Sequence, residues 1–259
     1  LARDIADLGS VTSRLDTVGA SEGALSNRNL IINGAMQVAQ RGTSSTGLGA
    51  SSGYFTVDRI NPNFNATAGR LTMTQETITD LPNFNKCVKF ACTTADTSIG
   101  ASEYFIATMQ AIEGQNLQQL AKGTSSAKKV TVSFYVKGNA AATYVCELQD
   151  QSSREISKSF SVTTDWTRVV LTFDGDTSGA ITNTNTTGIG LMFWLHAGSN
   201  FNSGSAGDLN TSWSAAGTGT RCAGIDSFFD STSRTFFVTG LQMEVGDTAT
   251  DFEHRTFAD

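Results

Sequence analysis

The feature that most constrains the fold is a strict alternation of apolar and polar residues in several short segments. In VTVSFYVK, residues 130–137, the apolar side chains Val130, Val132, Phe134 and Val136 occupy every second position. Successive side chains of a β-strand point to opposite faces of a sheet, so this period predicts a strand with one buried and one exposed face. Segments 169–173, 191–196 and 237–245 show the same alternation.

Further segments complete an all-β pattern. Five more strands are predicted at residues 30–38, 70–77, 86–93, 144–149 and 157–162. Clusters of Gly, Asn, Ser and Asp separate the strands, as in KGNAA and DGDTSG. One helix is predicted over residues 109–120, where Ile112, Leu117 and Leu120 fall on one face and Gly123 is a suitable C-cap. Many short strands without a fixed-period repeat predict a jelly-roll β-sandwich over residues 29–259.

The first twenty residues follow a period of seven rather than two. Leu or Val occupies five of the six first and fourth heptad positions, namely Leu1, Leu8, Val11, Leu15 and Val18, and Asp4 occupies the sixth. This pattern predicts a short N-terminal coiled-coil helix over residues 1–20, joined to the sandwich by a small-residue linker over residues 21–28. Leu at the first position with β-branched residues at the fourth favours three or more strands, so we expect a homotrimer. The alternative is an amphipathic helix that packs on its own domain.

Composition argues against several classes of function. Charged residues make up 16% of the chain, against roughly 25% in ordinary soluble domains, and the formal net charge is -6. No basic stripe is present, so we expect no nucleic-acid partner. No run of about 18 apolar residues occurs, so we expect no membrane insertion. The chain begins with Leu1 and shows no signal-peptide pattern, and we expect it to be part of a longer chain.

Cysteine usage predicts free thiols. The chain has four cysteines: Cys87, Cys92, Cys146 and Cys222. Cys87 and Cys92 lie five residues apart on a predicted strand, which places them on opposite faces and makes them poor disulfide partners. Neither a CxxC pair nor a Cys/His spacing that suits zinc is present. We therefore expect buried, unpaired thiols, as is usual for a protein assembled in a reducing cytosol.

Catalytic chemistry has little support in the sequence. The two histidines, His196 and His254, lack a Ser or Cys nucleophile motif. Asp174 and Asp176 in FDGDTSG match the first half of a calcium loop, but Asn185 stands where the loop requires its closing Glu. A turn in which Asp and Gly serve the backbone is the favoured interpretation, with a calcium site as the alternative. We expect no enzyme activity, no metal and no cofactor.

Two aromatic residues in polar loops are candidates for ligand binding. Trp213 lies in DLNTSWSAAGTG and Phe201 in GSNFNSG, where local apolar neighbours are few. Aromatic faces stack on the CH-rich faces of sugars, and nearby Asn200 and Asn210 would hydrogen-bond sugar hydroxyls. The sequence therefore predicts a glycan site at these four residues. The alternative is that Trp213 folds back to cover the edge of the sandwich.

Several segments together resemble a family of bacteriophage and prophage tail-fibre domains. The similar segments, in chain order, are NLIINGAMQVAQRGTS, YFTVDRI, MQAIEGQNLQQLAKG, KKVTVSFYVKGNAAATY, FSVTTDWTRVVLTFDGDTSG, GIGLMFWLHAG and FFVTGLQMEVGDTATDFEHRTFAD. The resemblance implies a carbohydrate-binding-module-like jelly roll in a homotrimeric virion protein. It also implies assembly in the host cytoplasm with other tail proteins, and attachment to host surface polysaccharide. It carries over no catalytic residue, and it does not extend clearly through segments 62–79 and 200–219, whose loops would determine binding specificity.

Three functions remain open at this stage. The first is a receptor-binding fibre that recognises a surface glycan. The second is a purely structural fibre, adaptor or decoration protein whose jelly roll only packs and trimerises. The third is a polysaccharide-degrading tail spike, which would need a pair of carboxylates in a groove. Exposure of Trp213 and Phe201 would favour the first over the second.

Overall fold

The computed structural model describes residues 28–254, so the predicted coiled coil and the heptad positions Leu1 to Val18 lie outside the described residues. Within that range the chain forms two antiparallel six-stranded sheets. The strands are β1 (Ser44–Leu48), β2 (Asn61–Asn65), β3 (Arg70–Thr77), β4 (Lys86–Thr94), β5 (Tyr104–Glu113), β6 (Val130–Gly138), β7 (Ala142–Asp150), β8 (Arg154–Val162), β9 (Thr167–Phe173), β10 (Thr187–Ala197), β11 (Ser214–Ala215) and β12 (Thr235–Val245). Two short 3-10 helices, Gly114–Leu120 and Ala206–Asp208, interrupt them.

The strand order is that of a jelly roll. Sheet I has the order β1-β3-β4-β12-β6-β9, and sheet II has the order β11-β8-β7-β10-β5-β2. From β4 onward the chain passes back and forth between the sheets, and only β7 and β8 are consecutive neighbours in one sheet. The eight central strands thus form two interlocked Greek keys, β4-β12-β6-β9 facing β5-β10-β7-β8. This confirms the predicted β-sandwich for the described residues. Within residues 28–254, no helix is long and apolar enough to cross a bilayer.

Aromatic rings fill the space between the sheets. The ring of Phe134 from sheet I lies 4.7 Å from that of Phe193 and 5.1 Å from that of Phe160, both of sheet II. All three side chains are buried. Full burial of each ring contributes on the order of 1.5–3 kcal/mol relative to exposure. The alternation seen in the sequence therefore marks the faces that meet in this core.

Two sequence predictions of secondary structure are wrong. Residues 30–38 form a turn, because the Asn33 side chain accepts from the Val38 backbone N–H at 2.9 Å and donates to its carbonyl at 3.0 Å. Asn33 and Met36 both have positive φ, which a strand does not allow. The predicted helix 109–120 is the end of β5 followed by a 3-10 helix. Its first residues pair with β10, with Ile112 opposite Ile189.

The cysteine prediction is confirmed within the described residues. All four thiols are buried and none forms a disulfide. Burial raises the pKa of Cys92 to about 11 and that of Cys87 to about 12, so these thiols stay protonated and unreactive at neutral pH. They serve as small apolar groups in the packing of the sandwich.

Candidate functional site

The long segment between β10 and β12, residues 198–234, covers the outer face of sheet II. It brings Leu209, Cys222 and Ile225 against Val145 of β7 and Trp194 of β10. Val145 and Trp194 are completely buried, although they point away from the core between the sheets. The segment therefore adds a third layer to the sandwich, and we call it the covering segment.

A buried cation holds the covering segment in place. The guanidinium group of Arg221 donates to Glu147 at 2.5 and 3.0 Å and lies 2.6 Å from a carboxylate oxygen of Glu155. Both glutamate side chains are fully buried, and the Arg221 guanidinium carbon stacks 4.8 Å above the Trp194 ring. Burial raises the pKa of Glu147, against the opposing effect of Arg221. Removal of Arg221 would leave two carboxylates buried without their cation.

An open cleft of about 250 Å³ remains between the covering segment and the strands of sheet II. Its walls come from strands β2, β5, β7 and β10 and from the covering segment. We call it the sheet II cleft, and it is lined by Asn63, Tyr104, Ile106, Thr108, Gln149, Met192, Trp194, Phe201 and Arg221.

Three aromatic rings form the apolar wall of the sheet II cleft. The Phe201 ring meets the Tyr104 ring edge-on at 5.5 Å and lies tilted against Trp194 at 5.2 Å. Tyr104 and Trp194 are in edge contact at 6.0 Å. Tyr104 and Phe201 are half-buried, whereas Trp194 is buried, so the first two present aromatic surface to a ligand.

Polar groups with unused hydrogen-bonding capacity share this cleft. The Asn63 amide donates to the Asn61 carbonyl and to the Thr108 hydroxyl, both at 2.9 Å, which leaves its own carbonyl oxygen free to accept. Within the described part of the chain, the Trp194 indole N–H has no acceptor. This indole nitrogen is itself inaccessible to solvent, so a ligand in the cleft would reach it only if the wall shifted.

The structure brings only one of the two predicted aromatic residues to this cleft. Phe201 lines it, and the neighbouring Asn200 is exposed, with its backbone fixed by hydrogen bonds to Ala101 and Gly219. Asn210 lies elsewhere, where its amide donates to Ser214 at 2.8 Å and to a carboxylate oxygen of Glu155 at 3.4 Å. Its role in the fold is to hold the covering segment.

Trp213 takes the position of the alternative interpretation and covers the edge of the sandwich. Its indole N–H donates to the Asp174 carbonyl at 2.6 Å, and the Lys122 ammonium group lies 4.4 Å from its ring centroid. The ring packs against the main core and does not line the sheet II cleft. Trp213 lies in a polar loop, but its contacts come from segments that are distant in the sequence.

The candidate calcium ligands are already paired with cations. Asp176 is buried and accepts from Arg154 at 2.7 Å and from Lys122 at 2.9 Å. Burial raises the pKa of Asp176, but these hydrogen bonds outweigh it and lower the pKa below its usual value. Asp174 is exposed and pairs with Lys129 at 3.0 Å. The Asp176 carboxylate also accepts from the Ser178 N–H, which is the turn favoured by the sequence.

A second depression, of about 450 Å³, lies outside sheet I. Its rings are occupied with one another, since Phe84 lies 5.1 to 5.2 Å from Tyr135, Phe252 and His254. Phe84 itself is buried. Two amide side chains, Asn63 and Gln149, line the sheet II cleft beside half-buried rings, whereas Asn83 is the amide that lines the second depression, so the sheet II cleft is the stronger candidate.

Sequence comparisons assign the chain to no family, since no family model and no curated protein matches it. Three solved structures show partial similarity to the chain: a CBM4 structure (TM-score 0.40, 10% identity, covering 83% of this chain and 99% of the other), TmCBM61 in complex with β-1,4-galactotriose (0.37, 11%, 85% and 99%), and the enzymatically active domain of bacteriophage CBA120 tailspike protein 4 (0.39, 11%, 84% and 21%). This chain thus spans about a fifth of the tailspike chain. With TM-scores below 0.5 these similarities carry no argument about function, which has to be judged on the cleft itself.

Proposed function

We propose that this protein binds carbohydrate through the sheet II cleft. The observation that carries the proposal is the juxtaposition of two half-exposed aromatic rings, Tyr104 and Phe201, with amides that have spare hydrogen-bonding capacity. Aromatic faces suit the CH-rich faces of sugar rings, and amide groups suit their hydroxyls. The Gln149 side chain, which has no hydrogen-bond partner among the described residues, is the freest of these amides.

The polar groups of the cleft favour binding over catalysis. The side chains of Asn63, Thr108 and Gln149 donate and accept hydrogen bonds, but most glycosidases use two carboxylates. Arg221 is already engaged by Glu147 and Glu155. We therefore propose a lectin-like role in which the ligand leaves unchanged.

The wider role that we propose is attachment of a phage tail fibre to a host surface polysaccharide. The resemblance of segments from Asn29 to Asp259 to tail-fibre domains supports it, and the heptad pattern of residues 1–18 supports a homotrimer. A single small cleft is expected to bind weakly. Three clefts on one trimer, and several trimers on one virion, would raise the avidity by orders of magnitude on a repeating target.

The competing proposal is a purely structural fibre part. The position of Trp213 over the sandwich edge favours it, because this ring packs against the core and lies outside the sheet II cleft. The position of Phe201 in an open cleft favours binding. A polysaccharide-binding experiment distinguishes the binding role from the structural role.

The test is retention of the full chain on immobilised host envelope polysaccharides, followed by titration with fragments of any that bind. Phe201→Ala and Gln149→Ala should each weaken binding at least severalfold while circular dichroism shows an intact fold. Tyr135→Ala, which removes a ring from the depression on sheet I, should bind normally. Loss of binding in Tyr135→Ala with full binding in Phe201→Ala would move the site to the other sheet. If no polysaccharide is retained, the structural role takes the place of this proposal.

A further inference from the structure

Three side chains that could bind a metal ion converge at one end of the sandwich, apart from the sheet II cleft. Asp96 and Glu103 belong to the connection between β4 and β5, residues 95–103, and His196 lies near the end of β10. One donor atom from each lies within 4.8 Å of the others. Asp96 and His196 are buried, and the Glu103 side chain is 13% exposed.

The atoms that face each other in this group lack partners. His196 Nε2 and Glu103 Oε2 lie 3.6 Å apart, and neither has a hydrogen-bond partner among residues 28–254. A buried polar atom without a partner is costly, so a ligand bound between these two atoms would satisfy both.

The opposite sides of Asp96 and His196 are fixed by the surrounding structure. Asp96 Oδ2 accepts from the Thr67 hydroxyl at 2.7 Å and from the Ala68 N–H at 2.8 Å. His196 Nδ1 is 2.8 Å from the Ser227 hydroxyl, so that with Nδ1 as the donor Nε2 directs its lone pair toward Glu103. Such outer contacts orient metal-binding carboxylates and imidazoles in proteins.

We propose that Asp96, Glu103 and His196 bind a zinc ion. A tetrahedral zinc with bonds of about 2.0–2.2 Å places its ligands about 3.3 Å apart, close to the separation of Nε2 and Oε2. One imidazole and two carboxylates suit zinc, whereas calcium takes oxygen ligands only. The ion would also offset the repulsion between the two neighbouring carboxylates. The proposal is independent of carbohydrate binding.

The bound ion would join the β4–β5 connection to the end of β10. Gly198, the first residue of the covering segment, donates its N–H to the Glu103 carbonyl at 2.8 Å. The Asp96 N–H donates to the carbonyl of Phe229, near the end of the same segment. Zinc would therefore stabilise the connection to which both ends of the covering segment are hydrogen-bonded.

The test uses the untagged full chain, dialysed against a chelator and then titrated with zinc. We expect one zinc per chain by elemental analysis, micromolar or tighter binding by calorimetry, and a rise of several degrees in Tm that calcium does not produce. Cobalt in place of zinc should give the absorption bands of a tetrahedral site. Glu103→Gln should weaken zinc binding tenfold or more, whereas Glu113→Gln, at the far end of β5, should bind as the parent does.

Two results would overturn the proposal. One is a metal-free chain whose Tm and zinc content do not respond to micromolar zinc. The other is zinc binding that Glu103→Gln leaves unchanged, which would place the ion elsewhere. If Glu103→Gln does not fold, the nitrogen NMR shifts of His196 in the parent chain decide the matter, since zinc on Nε2 must move them.

Discussion

Replacement of Lys122 by Met is expected to destabilise the sandwich far more than loss of any exposed lysine. The Lys122 ammonium donates to Asp150 at 2.5 Å, to Asp176 at 2.9 Å and to the Gly179 carbonyl at 2.8 Å, which uses all three of its N–H bonds. Its side chain is 3% exposed, and those of Asp150 and Asp176 are 0% and 2% exposed. The substitution therefore leaves two buried carboxylates with Arg154 as their remaining cation.

The expected size follows from this geometry. Removal of one partner from a buried ion pair costs about 3–5 kcal/mol, because the other charge stays buried without compensation. In a domain of this size 1 kcal/mol shifts Tm by about 2–4 °C, so Lys122→Met should lower Tm by about 6–20 °C at pH 7. Lys128→Met is the matched control, since Lys128 is exposed, and its Tm should change little. Scanning calorimetry of the three proteins measures both effects.

The pH dependence provides an independent check. The pKa of Asp176 is lowered in the folded protein, so its contribution to stability is complete above the unfolded pKa of about 3.9 and is lost as pH falls from there through the folded pKa. In Lys122→Met that contribution is smaller, and protonation relieves the uncompensated charge. The Tm gap between the parent and Lys122→Met should therefore narrow as pH falls below about 4. A gap below 2 °C at pH 7, or one that widens in acid, would refute this account of the ion cluster.

Three further predictions concern other parts of the chain. Trp213→Ala should lower the free energy of unfolding by about 1–3 kcal/mol, which is less than the 3–5 kcal/mol expected for a fully buried Trp, and calorimetry measures this loss. Carbohydrate binding by the folded fraction should be unchanged in polysaccharide retention. Gly114→Ala should lower the free energy of unfolding by about 1–3 kcal/mol, because the added Cβ would lie 2.1 Å from the Thr182 carbonyl oxygen. Gly207→Ala is the control, since its Cβ would have no atom nearer than 3.9 Å, and urea unfolding should show little change. Removal of residues 1–20 should weaken assembly, and light scattering at micromolar concentration that finds the full chain monomeric would contradict the predicted trimer.

The alternation of apolar residues predicted strand β6, which the structure has at Val130–Gly138. The predicted exposed face of this strand is wrong, because Thr131 and Ser133 are buried and Tyr135 and Lys137 are half-buried. The sequence of β5 does not alternate in this way, because the covering segment buries the outer face of the strand and both faces carry apolar or buried residues. The edge strands β1 (SSTGL) and β2 (NPNFN) are short and polar, with Gly or Pro, and their sequences have the character of loops.

The candidate site was predictable only in part. Phe201 stood out because it is aromatic in a polar loop, and the parity of Trp194 with Met192 placed both on one face of β10. Which loop would cover that face depends on contacts between distant segments, such as Arg221 with Glu147. The same holds for Trp213, whose partners Lys122 and Asp174 lie on other connections. A local sequence pattern does not indicate which distant residues will be in contact.

The buried contacts of Arg221 determine how the sheet II cleft would meet a ligand. The covering segment cannot lift without separating this cation from Glu147 and Glu155, so the wall that carries Phe201 is in place before any ligand arrives. Association then requires little ordering of the chain, because the binding site is preformed. Related ligands should accordingly arrive at similar rates and differ in how long they stay.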